Sequence, residues 1–204
     1  MTRKWLRERK RDYYHRLAKE EGYRSRSAYK LIEVAEKYQF IKQGDVVLDL
    51  GAAPGGWMQV AKKIVGEKGY VLGIDLKPIA NLELNNVSSI TSDIEKIEAT
   101  EVRKGLPREA DVVISDLAPN VSGVWELDHT RQIYLSEISL KLATAVLRMK
   151  GSFFLKVFQG SSWNTFLDHV KTYFEVVKVI KPRASRKNSA EIYVLALEFK
   201  GNSA

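Results

Sequence analysis

One lysine interrupts an otherwise apolar stretch of the chain. Lys156 lies between Leu155 and Val157, in the segment Ser152-Phe-Phe-Leu-Lys-Val-Phe158. Lysine is almost never fully buried without a partner. Because ionisable groups in unusual surroundings concentrate at functional sites, this pattern indicates a functional role for Lys156.

A glycine-rich turn follows an apolar run earlier in the chain, in the segment Asp49-Leu-Gly-Ala-Ala-Pro-Gly-Gly-Trp57. Glycine lets a ligand approach the backbone, because it has no Cβ. Gly51, Ala53 and Gly56 occupy the three glycine positions of the dinucleotide fingerprint. The middle glycine, where the backbone meets a pyrophosphate, is replaced by Ala53 and followed by Pro54. The turn therefore favours S-adenosylmethionine over NAD, since S-adenosylmethionine has no pyrophosphate.

Acidic residues follow three further apolar runs. Asp75 comes 24 residues after Gly51, close to the offset at which a carboxylate accepts hydrogen bonds from a nucleoside ribose. Asp93, in Thr91-Ser-Asp93, is a candidate for the adenine amino group, although an acid at this kind of position is more often an N-cap. Asp116 ends the run Asp111-Val-Val-Ile-Ser-Asp116. In an open parallel sheet these positions border the ligand crevice, which lies beyond the carboxyl ends of the strands.

The elements that position these residues alternate between strand and helix patterns. Ser27 is a predicted N-cap for a helix that begins at Ala28, and Gly151 is the predicted end of a long helix. The predicted strands cover 46–50, 70–75, 87–91, 111–116, 152–158, 175–180 and 190–199, and the predicted helices cover 28–38, 57–65, 129–150 and 163–173. Continuous apolar strands indicate burial on both faces. The alternation predicts a single doubly wound, Rossmann-like α/β domain, with a seven-stranded, mostly parallel sheet and helices on both faces.

Composition narrows the class of protein. The chain has 204 residues, 45% of them hydrophobic, and no cysteine, so we expect neither disulfides nor a metal site built on cysteine. No apolar run approaches the roughly 20 residues of a membrane span, and we expect a soluble, cytoplasmic protein without membrane contact. Residues 1–30 carry eleven basic and four acidic side chains, which is +7 of the net charge of +8. Such a charge, interleaved with aromatic rings, favours a nucleic-acid partner.

The motifs together resemble a known family. The segments 49–57, 115–123 (Ser-Asp-Leu-Ala-Pro-Asn-Val-Ser-Gly) and 155–160 (Leu-Lys-Val-Phe-Gln-Gly) are similar to those of the FtsJ/RrmJ (RlmE) family of ribosomal RNA ribose 2′-O-methyltransferases. The resemblance implies a catalytic tetrad of Lys30, Asp116, Lys156 and Glu191. It also implies S-adenosylmethionine as cofactor. Combined with the glycine-rich turn, it gives the cofactor-binding set Gly51, Pro54, Gly55, Gly56, Trp57, Asp75, Asp93 and Asp116.

Transfer of a methyl group to a ribose hydroxyl needs a proton acceptor. None of His15, His129 and His169 lies at a predicted carboxyl end of a strand, so we expect Lys156 to accept the proton, with Asp116 and Lys30 in support and Glu191 assisting. Without the resemblance, Lys30 would be interpreted as an exposed helix lysine and Glu191 as a charge near the start of an edge strand. We expect the substrate to be a uridine nucleotide in ribosomal RNA, within the large ribosomal subunit.

The domain organisation follows from the charge. We expect a basic RNA-binding arm at 1–26, a methyltransferase domain at 27–200 and a tail at 201–204. Further cations that we expect to hold the RNA backbone precede Glu191, and these are Lys181, Arg183, Arg186 and Lys187. A monomer is favoured.

Three other functions stay open at this point. A transfer RNA ribose methyltransferase would share the fold and the tetrad. A non-catalytic RNA-binding assembly factor would keep the scaffold without needing the four tetrad residues. An NAD oxidoreductase is disfavoured by Ala53 and Pro54. Trp125 is compatible with base stacking and with core packing equally.

Overall fold

The computed structural model describes residues 13–80, 82, 85–186 and 189–201. Its centre is a seven-stranded sheet in the order β3-β2-β1-β4-β5-β7-β6. The strands are β1 (Val46–Leu50), β2 (Tyr70–Asp75), β3 (Val87–Thr91), β4 (Ala110–Ser115), β5 (Leu147–Phe158), β6 (Phe174–Ile180) and β7 (Glu191–Phe199). The pairs among β1 to β5 are parallel, whereas β7 runs antiparallel to both β5 and β6. The mostly parallel sheet predicted from the sequence is confirmed.

Helices cover both faces of this sheet. Among the described residues they are α1 (Tyr13–Glu20), α2 (Ala28–Tyr38), α3 (Gly56–Val65), α4 (Ala99–Lys104), α5 (Trp125–Val146) and α6 (Trp163–Tyr173). The apolar sides of α2 and α3 pack on one face of the sheet, and those of α4, α5 and α6 pack on the other. Each inner strand therefore sends alternate side chains into two cores, as Phe153 and Phe154 do. This explains the continuous apolar runs in the sequence.

The long helix is placed differently from the prediction. It ends at Val146, and Leu147 already pairs with Ala110 of β4, so Gly151 lies within β5 and does not end a helix. The guanidinium of Arg148 binds the carboxylate of Asp111, and the β4–β5 register shifts between Ala110 and Val112. Tertiary pairing thus overrides a helical pattern that continues in the sequence.

Ser27 does not cap α2 as predicted. Its backbone is itself helical (φ −64°, ψ −19°), and its side chain makes no capping hydrogen bond. The hydroxyl instead lies 2.8 Å from that of Ser25. The chain before α2 is a helical turn, so the predicted boundary between capping residue and helix does not exist there.

The described part of the basic arm packs against the sheet domain. The Tyr14 ring lies 5.5 Å from that of Tyr29, and the backbone N–H of Arg24 donates to the Gln59 side chain (2.8 Å). The arm's residues 1–12, the tail residues 202–204 and Lys187 lie outside the described residues. No helix among the described residues is long and apolar enough to cross a membrane.

Candidate active site

Lys156 lies at the carboxyl end of the sheet, next to the end of β4. Its ammonium is 3.1 Å from Oδ1 of Asp116 and donates to the backbone carbonyl of the same residue (2.7 Å). The lysine is only 7% exposed. Asp116 follows the last residue of β4 directly, so the parallel β4–β5 pairing places the two residues side by side. The lysine that stands out in the sequence therefore has an acidic partner that is itself only 20% exposed.

Lys30 and Glu191 form a second ion pair in the same region. The Lys30 ammonium is 2.6 Å from Oε1 of Glu191. It also donates to the Tyr193 hydroxyl (3.0 Å), and that hydroxyl donates to Oδ1 of Asp116 (3.0 Å). Tyr193 thus connects the two ion pairs. The four residues implied by the resemblance lie in one continuous network with Tyr193 at its centre.

The network arises because β7 returns between β5 and β6. Antiparallel pairing places Tyr193 opposite Lys156 and Glu191 opposite Phe158. Lys30 reaches the same place from α2, where it is 8% exposed. The sequence-based interpretations of Lys30 as an exposed helix lysine and of Glu191 as an edge-strand charge are therefore wrong, since Lys30 is buried and β7 is an inner strand.

The network shifts the acidity of two members. Burial alone would raise the pKa of Asp116, but the charges of Lys156 and Lys30 and the hydrogen bonds from Lys156 and Tyr193 outweigh it, and the pKa lies below its usual value. Burial, followed by the nearby charges of Asp116 and Glu191, raises the pKa of Tyr193 well above that of free tyrosine. Asp116 is therefore a carboxylate and Tyr193 a neutral hydrogen-bond donor around neutral pH.

A cavity of about 660 Å³ opens beside Asp116. Among the described residues, its lining includes one at or just after the carboxyl end of each of four strands. These are Gly51 after β1, Asp75 at the end of β2, Asp93 after β3 and Asp116 after β4. Apolar walls come from side chains such as Ile94. The volume and the mixture of apolar walls with a few polar groups are those of a small-molecule site. Of the expected cofactor-binding residues, these four line the cavity.

Asp75 and Asp93 hold the local backbone as well as lining the cavity. The carboxylate of Asp75 accepts hydrogen bonds from the backbone N–H groups of Ala53 (2.9 Å) and Lys77 (2.8 Å). Oδ1 of Asp93 accepts from the N–H of Glu95 (3.0 Å), which is a capping interaction at the start of a turn. Each carboxylate keeps lone pairs for a ligand. Asp93 thus holds a turn and lines the cavity, and its contact with an adenine amino group stays a prediction.

The glycine-rich turn is shaped by close contacts within the chain. Gly51 has φ +78°, and a Cβ there would lie 2.8 Å from the Leu117 side chain. A Cβ on Gly56 would lie 2.1 Å from the Ser25 hydroxyl oxygen. Arg24 lies against Gly55 and donates to the carbonyl oxygens of Pro54 (3.2 Å) and Ala80 (2.6 Å). The second half of the turn, residues 54–56, therefore packs against the segment before α2, whereas Gly51 lines the cavity.

Three of the expected cofactor-binding residues thus have a different environment. Pro54, Gly55 and Gly56 are not among the described residues that line the cavity, because they lie against the Arg24–Ser25 segment.

Trp57 is a fourth such residue, since it is 3% exposed and belongs to the core under α2. Its ring stacks on Phe154 and its indole N–H donates to the Ser27 carbonyl (2.8 Å). It packs the domain and is not among the described cavity residues.

Asp49 is a buried carboxylate at the same edge of the sheet. It is fully buried, and neither carboxylate oxygen has a hydrogen-bond partner among the described residues. Burial, followed by the charges of Asp116 and Asp75, raises the pKa of Asp49 well above its usual value. An unpaired buried acid is kept neutral in this way, because the charged form would be far more costly.

Sequence reasoning missed Tyr193 and His129. Tyr193 is one of many apolar or aromatic residues of β7, and its spacing of two from Glu191 is the one signal that would have placed both on the same face. His129 lies beside the carboxyl end of β5, where its Nε2 accepts from the backbone N–H of Ser162 (3.1 Å). The search for polar residues at strand ends could not find this histidine, because it lies on α5.

The basic segment before Glu191 contacts the tetrad. The Ser185 hydroxyl donates to Oε1 of Glu191 (2.9 Å). Arg183 and Arg186 are close to Ser185 in the sequence, and this contact brings their segment to the tetrad. Arg26, from the expected RNA-binding arm, donates to the carbonyl oxygen of Ala184 in the same segment. Burial, and then the charge of Arg186, lowers the pKa of Arg26 below its usual value. Arg24 and Arg26 of the expected RNA-binding arm are therefore engaged with the chain itself.

Comparisons with known proteins agree on the family. The chain is 48% identical over 203 residues to the ribosomal RNA large subunit methyltransferase E of Methanocaldococcus jannaschii, covering 98% of this chain and 83% of that protein. It is 46% identical over 206 residues to the protein of the same name from Coxiella burnetii, covering 98% and 96%.

A solved structure gives the same result. A Plasmodium falciparum protein assigned as a ribosomal RNA methyltransferase superposes with a TM-score of 0.76 at 30% identity, covering 88% of this chain and all of that one. The family model described as FtsJ-like methyltransferase matches residues 23–199, which include the whole tetrad and the cavity. This chain belongs to the FtsJ-like methyltransferase family.

Proposed function

We propose that this protein transfers a methyl group from S-adenosylmethionine to the ribose 2′-hydroxyl of a nucleotide in large-subunit ribosomal RNA, with uridine as the expected nucleotide. One observation carries the proposal. Lys30, Asp116, Lys156 and Glu191 come from four distant parts of the chain and form one largely buried, hydrogen-bonded network beside a ligand-sized cavity. Core packing alone does not require this network, since buried ion pairs are poor stabilisers compared with apolar residues of similar volume.

The cavity suits the cofactor. The carboxylate of Asp75 is available to ribose hydroxyls, and Asp93 to an amino group of a base. Gly51, whose missing Cβ lets Leu117 lie against the end of β1, lines the cavity. When bound, S-adenosylmethionine supplies a methyl group carried on a sulfonium sulfur, and this sulfur becomes a thioether when the methyl group is transferred. Membership of a methyltransferase family removes the NAD oxidoreductase interpretation.

Lys156 is the proposed proton acceptor. Two of its hydrogen-bonding directions are occupied by the Asp116 carboxylate and carbonyl oxygens. As a neutral amine, Lys156 can donate in both of these directions and still keep its lone pair for a ribose hydroxyl. The ribose oxygen gains the methyl carbon and loses its proton to Lys156 Nζ, so atoms and charge balance.

The other three tetrad members position Lys156. Asp116 holds the amine at two points, and Tyr193 holds the Asp116 carboxylate. Lys30 lies on the other side of Tyr193, where Glu191 neutralises it. Their contribution is the alignment of the reacting groups, which in favourable cases lowers a barrier by about 7–11 kcal/mol.

Relatives named for large-subunit ribosomal RNA support this substrate. The basic residues of the arm and of the segment before Glu191 are suited to the RNA backbone. A steep loss of RNA affinity with rising salt is expected, and a flat response would remove the electrostatic contribution.

The test supplies labelled S-adenosylmethionine with ribosomal subunits, total RNA and transfer RNA, and maps labelled nucleotides by mass spectrometry. We expect a 2′-O-methylated uridine in large-subunit RNA. Lys156→Ala is expected to retain cofactor binding and lose methyl transfer, whereas Lys141→Ala, an exposed lysine on α5, is expected to transfer at the wild-type rate. Label in transfer RNA would favour the alternative substrate. Cofactor binding without any transfer by wild type would favour a non-catalytic assembly factor.

A further inference from the structure

Trp125 forms an exposed aromatic stack beside the tetrad. Its ring lies 5.9 Å from that of His129 at an interplanar angle of 20°, and 6.1 Å from that of Phe158 at 24°. Trp125 is 43% exposed, whereas His129 is 1% exposed. We call these three residues the aromatic stack. In it, the buried His129 ring and the Phe158 ring lie against the more exposed Trp125 ring.

The stack is next to the catalytic network. Phe158 pairs with Glu191 across β5 and β7, and it follows Lys156 by two residues on the same strand. Gln132, one turn along α5 from His129, donates to the carbonyl oxygens of Lys156 (3.2 Å) and Leu117 (3.3 Å). The helix that carries Trp125 is therefore bonded directly to the strand that carries Lys156.

Hydrogen bonds to Asp128 hold the loop that leads to Trp125. The carboxylate of Asp128 accepts from the Ser122 backbone N–H (2.7 Å), the Ser122 hydroxyl (2.8 Å) and the Gly123 backbone N–H (3.1 Å). These bonds hold the loop that enters α5. A rigid aromatic ring loses little entropy on binding, which is the condition for an efficient stacking site.

Below Trp125, the chain makes room for His129. A Cβ on Gly160 would lie 2.6 Å from Nδ1 of His129, so only glycine allows this ring to lie against the β5–α6 loop. His129 Nε2 accepts from Ser162, and its Nδ1 has no hydrogen-bond partner among the described residues. The imidazole is thus held as a flat surface under the indole.

Core packing does not account for the exposed side of Trp125 and its neighbours. Around Trp125, the residues Val121, Val124 and Leu127 are 70%, 60% and 41% exposed, so the loop and the first turn of α5 present apolar surface to solvent. Exposed apolar surface of this kind, beside a catalytic site, marks a binding surface.

We propose that the exposed face of Trp125 binds an unpaired base of the RNA segment that carries the methylated ribose. This inference rests on the proposed function for the identity of the RNA. Single-stranded RNA is recognised by stacking of splayed bases on aromatic rings, and such stacking tolerates any base because every base has a π face. The stack holds the segment while Lys156 acts on one of its ribose hydroxyls.

The test measures binding without cofactor, by fluorescence anisotropy, with a labelled oligouridine strand and with an abasic strand of the same length. Trp125→Leu keeps apolar contact with Phe158 and His129 but removes the π face. It is expected to weaken oligouridine binding by about five- to 150-fold, the range for loss of one stacked base. Binding of the abasic strand is expected to change by less than twofold.

Two further variants control the comparison. Trp125→Tyr is expected to restore most of the affinity for oligouridine. Met149→Ala, an exposed apolar residue at the opposite end of the sheet, is expected to bind both strands as wild type does. Unchanged oligouridine binding by Trp125→Leu, or an equal loss for both strands, would overturn the proposal.

A rate measurement separates this inference from the proposed function. With ribosomal subunits, Trp125→Leu is expected to raise KM for RNA with a smaller change in kcat, whereas Lys156→Ala loses kcat. If Lys156→Ala is inactive while Trp125→Leu keeps the wild-type KM and oligouridine affinity, the stacking site is wrong and the proposed function stands. If wild type methylates no RNA but the oligouridine comparison holds, the proposed function is wrong and the stacking site stands.

Discussion

An aspartate lies at each end of β4, and the two aspartates have different cationic neighbours. At the amino end, Asp111 binds Arg108 (2.6 Å) and Arg148. At the carboxyl end, Asp116 binds Lys156, and through Tyr193 it reaches Lys30. The pKa values of both aspartates lie below the usual value. A similar electrostatic arrangement therefore occurs twice on one strand.

The partners decide what each end can do. An arginine stays charged in proteins and cannot take up a proton, whereas a lysine amine can. The arginine side chains are nearly half exposed, at 48% and 45%, and the lysine side chains are 7% and 10% exposed. We interpret the amino end as a structural clamp, and the carboxyl end, beside the cavity of about 660 Å³, as the candidate site of chemistry.

The largest expected difference between the two ends is in catalysis. Lys156→Met is expected to lower the rate of methyl transfer by about 10²- to 10⁴-fold, the range for loss of a positioned acid or base. Arg148→Met, at the other end of the same sheet, is expected to change the rate by less than about twofold. Initial rates of label transfer to ribosomal subunits would measure both. Equal losses for the two variants would remove the distinction between the ends.

Tyr193 sharpens the description of the carboxyl end. Tyr193→Phe removes the hydroxyl that joins Lys30 to Asp116. Because the Lys156–Asp116 contacts remain, we expect a loss of about tenfold in kcat, comparable to one hydrogen bond to a charged group, with cofactor affinity retained. Single-turnover rates and a cofactor titration would measure the two quantities. A loss as large as that of Lys156→Met would make Tyr193 a participant in proton transfer.

At the amino end, stability is the expected readout. Burial would raise the pKa of Asp111, but hydrogen bonds from the Val46 N–H, Arg148 and Arg108 lower it overall. The native state therefore binds the proton less readily than the unfolded chain. This stabilisation is present above the unfolded pKa of about 3.9 and is lost as pH falls through the lower folded pKa.

Asp111→Asn is accordingly expected to cost about 1.5–3 kcal/mol at neutral pH, and less in acid. Urea unfolding from pH 7 downward would show the gap to wild type closing. A gap that stays constant across this range would mean that the ion pairs at Asp111 contribute no stability.

An effect of opposite sign concerns Asp49. Because its pKa is raised in the folded state, the native protein holds the proton more tightly than the unfolded chain. Wild type therefore loses stability as pH rises from about 4 toward the folded pKa. Asp49→Asn lacks this proton, and its stability relative to wild type is expected to increase over the same rise in pH. Urea unfolding at several pH values would measure it, and a decrease would contradict the neutral assignment.

The sequence was informative where local pattern and chemistry coincide. Continuous apolar runs predicted the central strands, and Lys156 stood out because a cation within such a run requires a partner. The end of α5 was misplaced, because the residues after Val146 suit either a helix or a strand and only pairing with Ala110 decides.

Other features depended on long-range contacts. The environments of Lys30, Glu191 and Tyr193 follow from the return of β7 between β5 and β6, which no local pattern encodes. Trp57 belongs to a recognisable motif but points into the core. A motif identifies the turn and not the direction of each side chain.

The central claim is that the amine of Lys156 accepts the ribose proton, and chemical rescue tests it most directly. In Lys156→Ala, small primary amines such as ethylamine can replace the missing group in the space that the side chain leaves. We expect methyl transfer to recover in proportion to the free-base amine and to follow amine basicity across a series, while guanidinium of similar size gives no recovery. Absence of rescue in a variant that binds cofactor and RNA normally, or equal rescue by guanidinium, would contradict it.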